Sequence, residues 1–213
     1  FISRKNEKIT SLLVAGVLTV GIVGGTLAWL TASDSVTNKF NTGADQSVAL
    51  DIFEKFDKDD AKVLQPGKTV DKKVQVKNSA TFDQFIRVKI TLDNSLSEMV
   101  TMNFVNATGE DSSWVKDADG YYYYMGKVAA GKYTNQLLDT VTFSKDATIE
   151  QMNKAFNIKV DAESVQASNG AYAEKFASAS EDVKAKLKAF EGATAVGNEK
   201  PIDGATITDN SEY

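Results

Sequence analysis

The stretch Phe82-Asp83-Gln84-Phe85-Ile86-Arg87-Val88-Lys89-Ile90-Thr91-Leu92 decides the fold class. Phe82, Ile86, Val88, Ile90 and Leu92 recur on even positions with mostly polar or charged residues between them, the period-two pattern of a strand with one buried face. Its length and regularity make it the expected central strand. Upstream, Val70, Val74 and Val76 lie on one face of a segment closed by Asn78-Ser79-Ala80. Gln65-Pro66-Gly67-Lys68 is a turn signal, with Pro supplying the fixed φ and Gly the tolerance of positive φ that a tight turn requires. Before it, Val48, Leu50 and Ile52 alternate within Gln46–Phe56, and the acidic cluster Asp57-Lys58-Asp59-Asp60 reads as a solvated turn.

Downstream, Val100, Met102 and Phe104 suggest a short strand, and the polar run from Asn106 to Gly120 a loop interrupted by Trp114. Tyr121 to Val128 is rich in aromatic residues that suit a pleated, half-buried surface. Leu137, Val141 and Phe143 continue the β pattern, Asp146 to Asn153 has room for a helical turn or two, and Phe156, Ile158, Val160 and Ala162 make the last strand. Eight or nine short strands with no βαβ rhythm point to a mainly β fold, an antiparallel β-sandwich. Periodicity alone does not choose a jelly roll over an immunoglobulin-like topology.

From Ser168 the period becomes helical, with Val183, Leu187 and Phe190 on one stripe that is expected to pack on the chain's own sandwich. Ser178 and Glu181 have capping-box spacing, and Gly192 ends the helix. The organisation expected is a signal over 1–28, a β-sandwich over 29–167, a helical segment over 168–192 and a loose tail over 193–213.

The signal reading rests on the N-terminus. Arg4, Lys5 and Lys8 form a basic region, Ile9 to about Val23 an apolar core, and Ala28 a small residue at a plausible cleavage point. Gly16, Gly21, Gly24 and Gly25 interrupt the run and favour a cleaved signal helix over a spanning anchor. Cleavage is expected between Ala28 and Trp29. The strand that follows carries Leu30, Ala32, Val36 and Phe40 on one side, with Asp34 and Asn38 as exceptions.

The formal charge of −5 becomes more negative once residues 1–28 are removed, which disfavours nucleic acid and anionic lipid as partners. There is no cysteine for disulfides or thiolate metal sites, and no histidine, the commonest general base and transition-metal ligand. No catalytic residue, metal site or cofactor is therefore expected. A serine–lysine pair would need no histidine, but no spacing marks one. Asp117-Ala118-Asp119-Gly120 imitates the middle of an EF-hand, yet Val115 and Gly126 stand where the first and last ligands belong. Of the four tyrosines Tyr121 to Tyr124, two are expected to pack and two to be half-exposed.

Gly24-Gly25-Thr26-Leu27-Ala28-Trp29-Leu30-Thr31-Ala32-Ser33-Asp34, followed by Val36-Thr37-Asn38-Lys39-Phe40-Asn41-Thr42-Gly43, resembles the start of the TasA/camelysin family. Leu64-Gln65-Pro66-Gly67-Lys68, Val74-Gln75-Val76-Lys77-Asn78, Gly120 to Tyr124 and Phe156 to Glu163 are also similar to that family's pattern, so the resemblance covers about residues 9–166. It implies a jelly-roll-like sandwich, export through a dedicated signal peptidase, and assembly into extracellular biofilm fibres on or around a bacterium. Partners would be other copies of the chain and minor fibre proteins, with no membrane contact after cleavage. Some camelysin relatives are labelled zinc proteases; the lack of histidine removes the usual helical zinc motif here.

The function expected is a structural fibre subunit whose residues 29–40 donate a strand to a neighbour. An exported, non-polymerising binding module and a secreted enzyme are the alternatives.

Overall fold

The computed structural model describes residues 16–23, 27–31, 35–36, 50–56, 66–92, 97–146, 156–202 and 206–207. The chain forms a mainly β structure of two packed sheets with short helices on one face. The strands are β1 (Gly16–Val23), β2 (Leu27–Thr31), β3 (Ser35–Val36), β4 (Leu50–Phe56), β5 (Thr69–Asn78), β6 (Gln84–Leu92), β7 (Val100–Phe104), β8 (Trp114–Lys116), β9 (Tyr122–Tyr124), β10 (Leu138–Phe143), β11 (Phe156–Gln166) and β12 (Thr206–Ile207). Two helices follow β11: α1 (Ala171–Lys175) and α2 (Glu181–Glu191).

One sheet runs β2-β1-β11-β6-β9-β8 with β3 also on β11; the other runs β12-β4-β5-β10-β7. Described pairings are antiparallel apart from β3 with β11 and a single bridge between Val128 and Val196. The chain changes sheet between β3 and β4, β5 and β6, β6 and β7, β7 and β8, β9 and β10, β10 and β11, and β11 and β12, the connection style of a jelly roll. As expected, β6 is central, held by β11 on one side and β9 on the other.

The inner rows of the strands make the core. Leu50, Ile52, Val74, Val76 and Leu138 of one sheet meet Ile86, Val88, Val160 and Ala162 of the other. Each such aliphatic side chain, removed from water, contributes ~1.5–3 kcal/mol. Pro66-Gly67 forms the expected turn, with Gly67 at φ 81° and its N–H donating to Phe143. Buried Asn78 closes the link from β5 to β6: its amide donates to the carbonyls of Phe82 and Val128, and its Oδ1 accepts from the Ala80 N–H.

The outer face of the first sheet is covered by the helical segment. Val183, Leu187, Tyr172 and Phe176 pack on Phe85, Tyr123 and Val165 in a second apolar cluster. The cap of α2 differs from the capping box read in the sequence. Ser180 is the N-cap and accepts from the Val183 N–H at 3.3 Å, which leaves Ser178 free for another role.

Two further segments differ from expectation. The stretch after Gly192, expected to be loose, is fastened by backbone hydrogen bonds between Val196 and both Lys127 and Ala129, and between Asn198 and Tyr133. The helix expected over the apolar core of the signal lies partly outside the described residues, and from Gly16 to Val23 the chain is a strand. Val17, Thr19, Val20, Ile22 and Val23 are β-branched, with Gly16 before them and Gly21 among them, a composition that suits an extended backbone at least as well as a helix. Among the described residues no helix is long and apolar enough to cross a membrane. Asp57 to Asp60 and the turn expected at Asp146 to Asn153, beyond Asp146 itself, lie outside the described residues.

Candidate functional site

The longest strand, β11, has two edges with different histories in the sequence. One edge is paired residue by residue with β6, from Ile158 opposite Leu92 to Gln166 opposite Gln84. The other edge is paired, among the described residues, only with the N-terminal segment. Residues Gly16 to Val20 of β1 run antiparallel to Phe156–Val160, and Ser35 and Val36 of β3 run parallel beside Asp161 and Ala162. Ile158, Val160 and Ala162 are fully buried, so this edge borders the core rather than a solvated flank.

The expected cleavage and donor residues fall along that same segment. Ala28, Trp29 and Leu30 lie in β2, opposite Ile22, Gly21 and Val20 of β1. Val36 lies in β3 opposite Ala162. Ala32 and Phe40 are outside the described residues. Thr19 stands between two strands, opposite Thr31 on one side and Asn157 on the other. The expected cleavage bond therefore lies inside the ladder of β1 with β2.

A second feature, which the sequence reading did not single out, is a buried cluster around Arg87. Its side chain is almost fully enclosed yet charged. Nε and Nη2 both donate to Glu163, directly across from it on β11, at 2.8 and 2.5 Å. Nη1 donates to the Tyr123 hydroxyl and to Ser178, both at 3.0 Å, and lies 3.7 Å from Asp119. The guanidinium sits 3.9 Å from the Tyr121 ring centre and 4.6 Å from that of Phe176. Burial works against its charge, but the hydrogen bonds it donates to Tyr123 and Glu163 outweigh that and raise its pKa. A lone arginine inside an alternating strand gives no sequence cue for such a cluster.

The acidic turn read as an EF-hand imitation belongs to this cluster. Asp119 accepts from the Tyr123 hydroxyl at 2.6 Å, from Ser178 at 2.8 Å and from the Tyr121 N–H. Asp117 accepts from the Ser180 N–H at 2.7 Å, the residue that caps α2. Burial raises the pKa of Asp117, but the bonds from Ser180 prevail and lower it overall. These carboxylates fasten the helical segment to the sheet. Among the described residues no group of three or more acidic side chains is placed to hold a metal.

The tyrosines depart from the expected two-and-two division. Tyr122, Tyr123 and Tyr124 are all buried and Tyr121 is half-buried, because the helices cover the outer row while the second sheet covers the inner one. No flat tyrosine platform faces solvent. A separate polar cleft of about 490 Å³ is lined by Gln75, Asn106, Asn135, Gln136 and Asn198. Its amides hold the chain together: Gln75 donates to the Thr134 carbonyl and accepts from the Ile202 N–H, and Asn198 donates to Asn135.

No family model matches the chain, and neither the curated proteins nor the solved structures supply a match.

Proposed function

We propose that this chain is an exported structural subunit of an extracellular biofilm fibre, built by donation of the mature N-terminal strand, residues 29–40, to a neighbouring subunit. The observation that carries this reading is the pairing of β11: among the described residues, one edge of this core-bordering strand is paired only with residues 16–20 of β1 and 35–36 of β3. Departure of residues 1–28 after cleavage would uncover Phe156–Val160. A bare strand edge recruits another strand, through main-chain hydrogen bonds for affinity and alternating side chains for register. If each subunit gives one strand and accepts one, the contact is heterologous and propagates as a filament.

The resemblance to the TasA/camelysin family supports the same reading, and with it a bacterial cell-surface or matrix location, a dedicated signal peptidase and minor fibre proteins as partners. The role proposed is structural rather than catalytic, with no cofactor. Electron microscopy of the purified, processed chain tests it. Filaments of one subunit type are expected, whereas dispersed monomers at high concentration would favour a non-polymerising exported binding module.

A further inference from the structure

We propose that an open corner of the sandwich, between β6, β7 and the β8–β9 hairpin, binds a small aromatic carboxylate, with Phe104 receiving its ring and Lys89 and Lys116 its charge. The corner lies on the side of β6 away from β11, and the proposal does not depend on the fibre reading.

The corner arises because the two sheets run out at different places. β9 pairs with β6 only at Arg87 and Val88, so from Lys89 to Leu92 no strand among the described residues lies on that side of β6. In the facing sheet β7 is, among the described residues, the edge strand. The inner row of β6 records the change: Ile86 and Val88 are buried, whereas Ile90 and Leu92 are half-buried. Met102 and Phe104 of β7 are half-buried as well. What remains is a notch of about 290 Å³ with Ile90, Leu92, Met102 and Phe104 in its walls and Lys89 and Lys116 beside them. That is near the lower limit of small-molecule pockets, ~300–1,000 Å³, and suits a molecule of one ring rather than several.

The aromatic wall is already in place. Phe104 stacks on Tyr122, with ring centres 4.6 Å apart and planes 24° from parallel. Tyr122 is buried and held in register between Val88 and Lys116. The adjoining turn is closed by the Gly120 N–H donating to the Asp117 carbonyl and the Asp117 N–H donating to that of Tyr121. A further flat ring extends the Phe104–Tyr122 stack, an arrangement that adds to the effect of the buried area.

The positive charge at the notch is unanswered. Lys89 stands opposite Asp161 in the ladder with β11, yet neither it nor Lys116 forms an ion pair among the described residues. Their ammoniums lie over rings instead, 5.3 Å from the centre of Tyr121 and 5.7 Å from that of Tyr122. The chain of Lys89 runs along the turn, where a Cβ at Gly120 would lie 3.5 Å from its Cε. Two free cations beside one apolar notch, in a chain of formal charge −5, favour an anion locally where the chain as a whole disfavours one. An inorganic anion would use only the ammoniums and a neutral ring only the walls. An aromatic carboxylate uses both.

Titration of the full chain with hydrocinnamate, followed through isotope-labelled methionine methyls, tests this. The chain has four methionines, and Met102 is assigned by the signal lost in Met102→Leu. That signal should shift saturably, while Met125, packed against the helical cluster, stays in place. Lys89→Gln/Lys116→Gln should weaken binding about tenfold or more, and hydrocinnamide, the same shape without the charge, should bind weaker than hydrocinnamate by a similar factor. Lys188→Gln on α2 should leave binding unchanged. A Met102 signal that does not move at ~10 mM hydrocinnamate, above the Kd expected of so small a ligand, overturns the site. Equal binding of the amide overturns the role of the lysines, and equal or tighter binding of octanoate overturns the aromatic class.

Discussion

Arg87 and Glu163 face each other across β6 and β11, and the carboxylate receives two hydrogen bonds from one guanidinium inside an almost dry cluster. The pair links the central strand to the strand whose far edge is the proposed assembly site. The same arginine also reaches Ser178, just before α2. The cluster therefore couples three parts of the fold: β11, the tyrosine strand and the helical cover.

Removing one member should leave a buried, uncompensated charge. Arg87→Met or Glu163→Ala is expected to destabilise the fold by about 3–5 kcal/mol, read from urea unfolding midpoints. The double variant should cost less than the sum of the two single changes, because both remove the same interaction. Strict additivity would mean that the two side chains act separately.

Alkaline pH should weaken the packed tyrosine strand. Burial raises the pKa of Tyr121, Tyr122, Tyr123 and Tyr124, most strongly for Tyr123, whose hydrogen bond to Asp119 adds to the effect. A phenol that holds its proton more tightly when folded gives stability that is fully present below the ordinary value of about 10 and is lost as pH climbs above it. The phenolate absorbance of these four rings should rise at higher pH than that of a free tyrosine, with Tyr123 the most delayed, as difference spectra against single Tyr→Phe variants would read. Ionisation of Tyr123 at the ordinary value would contradict the burial.

Acid should act first on the attachment of the helices. The pKa of Asp117 is lowered by its bonds from Ser180 despite the opposing burial, and that of Asp139 by its hydrogen bond from Lys73. Groups with depressed values contribute stability above the ordinary carboxylate range, and lose it as pH falls through their folded values. Asp117→Asn should therefore be less stable than the parent at neutral pH and show a flatter acid limb in thermal melts. An unchanged acid limb would remove Asp117 from this role.

The strap after α2 depends on one glycine. Gly197 has φ 143°, and a Cβ there would lie 2.5 Å from Cβ of Lys132. Gly197→Ala should cost ~1–3 kcal/mol and open residues 196–202 to protease. Protection equal to the parent's would show that the strap adjusts freely.

The sequence carried the sandwich because each strand buries one row, and that demand writes itself as alternation: Ile86, Val88 and Ile90 are legible without any structure. It did not carry the helical docking. Ser178 looked like a cap because capping chemistry is local, but its hydroxyl is engaged by Arg87 and Asp119, ninety-one and fifty-nine residues away. The tyrosines misled for a related reason, since whether the outer row of a strand is wet depends on what covers it. The tail after Gly192 gave no apolar pattern because its attachment is polar, through backbone groups and the side chains of Asn198 and Gln75. Along the β11 edge, only pairing could show that Thr19 of β1 stands between Thr31 and Asn157.

Deletion of residues 29–36 from the processed chain, followed by electron microscopy and sedimentation, tests the central claim most directly. The account expects a folded sandwich, with the Arg87 cluster intact by its tyrosine spectrum, that remains monomeric where the parent forms filaments. Normal filaments from the shortened chain would contradict it.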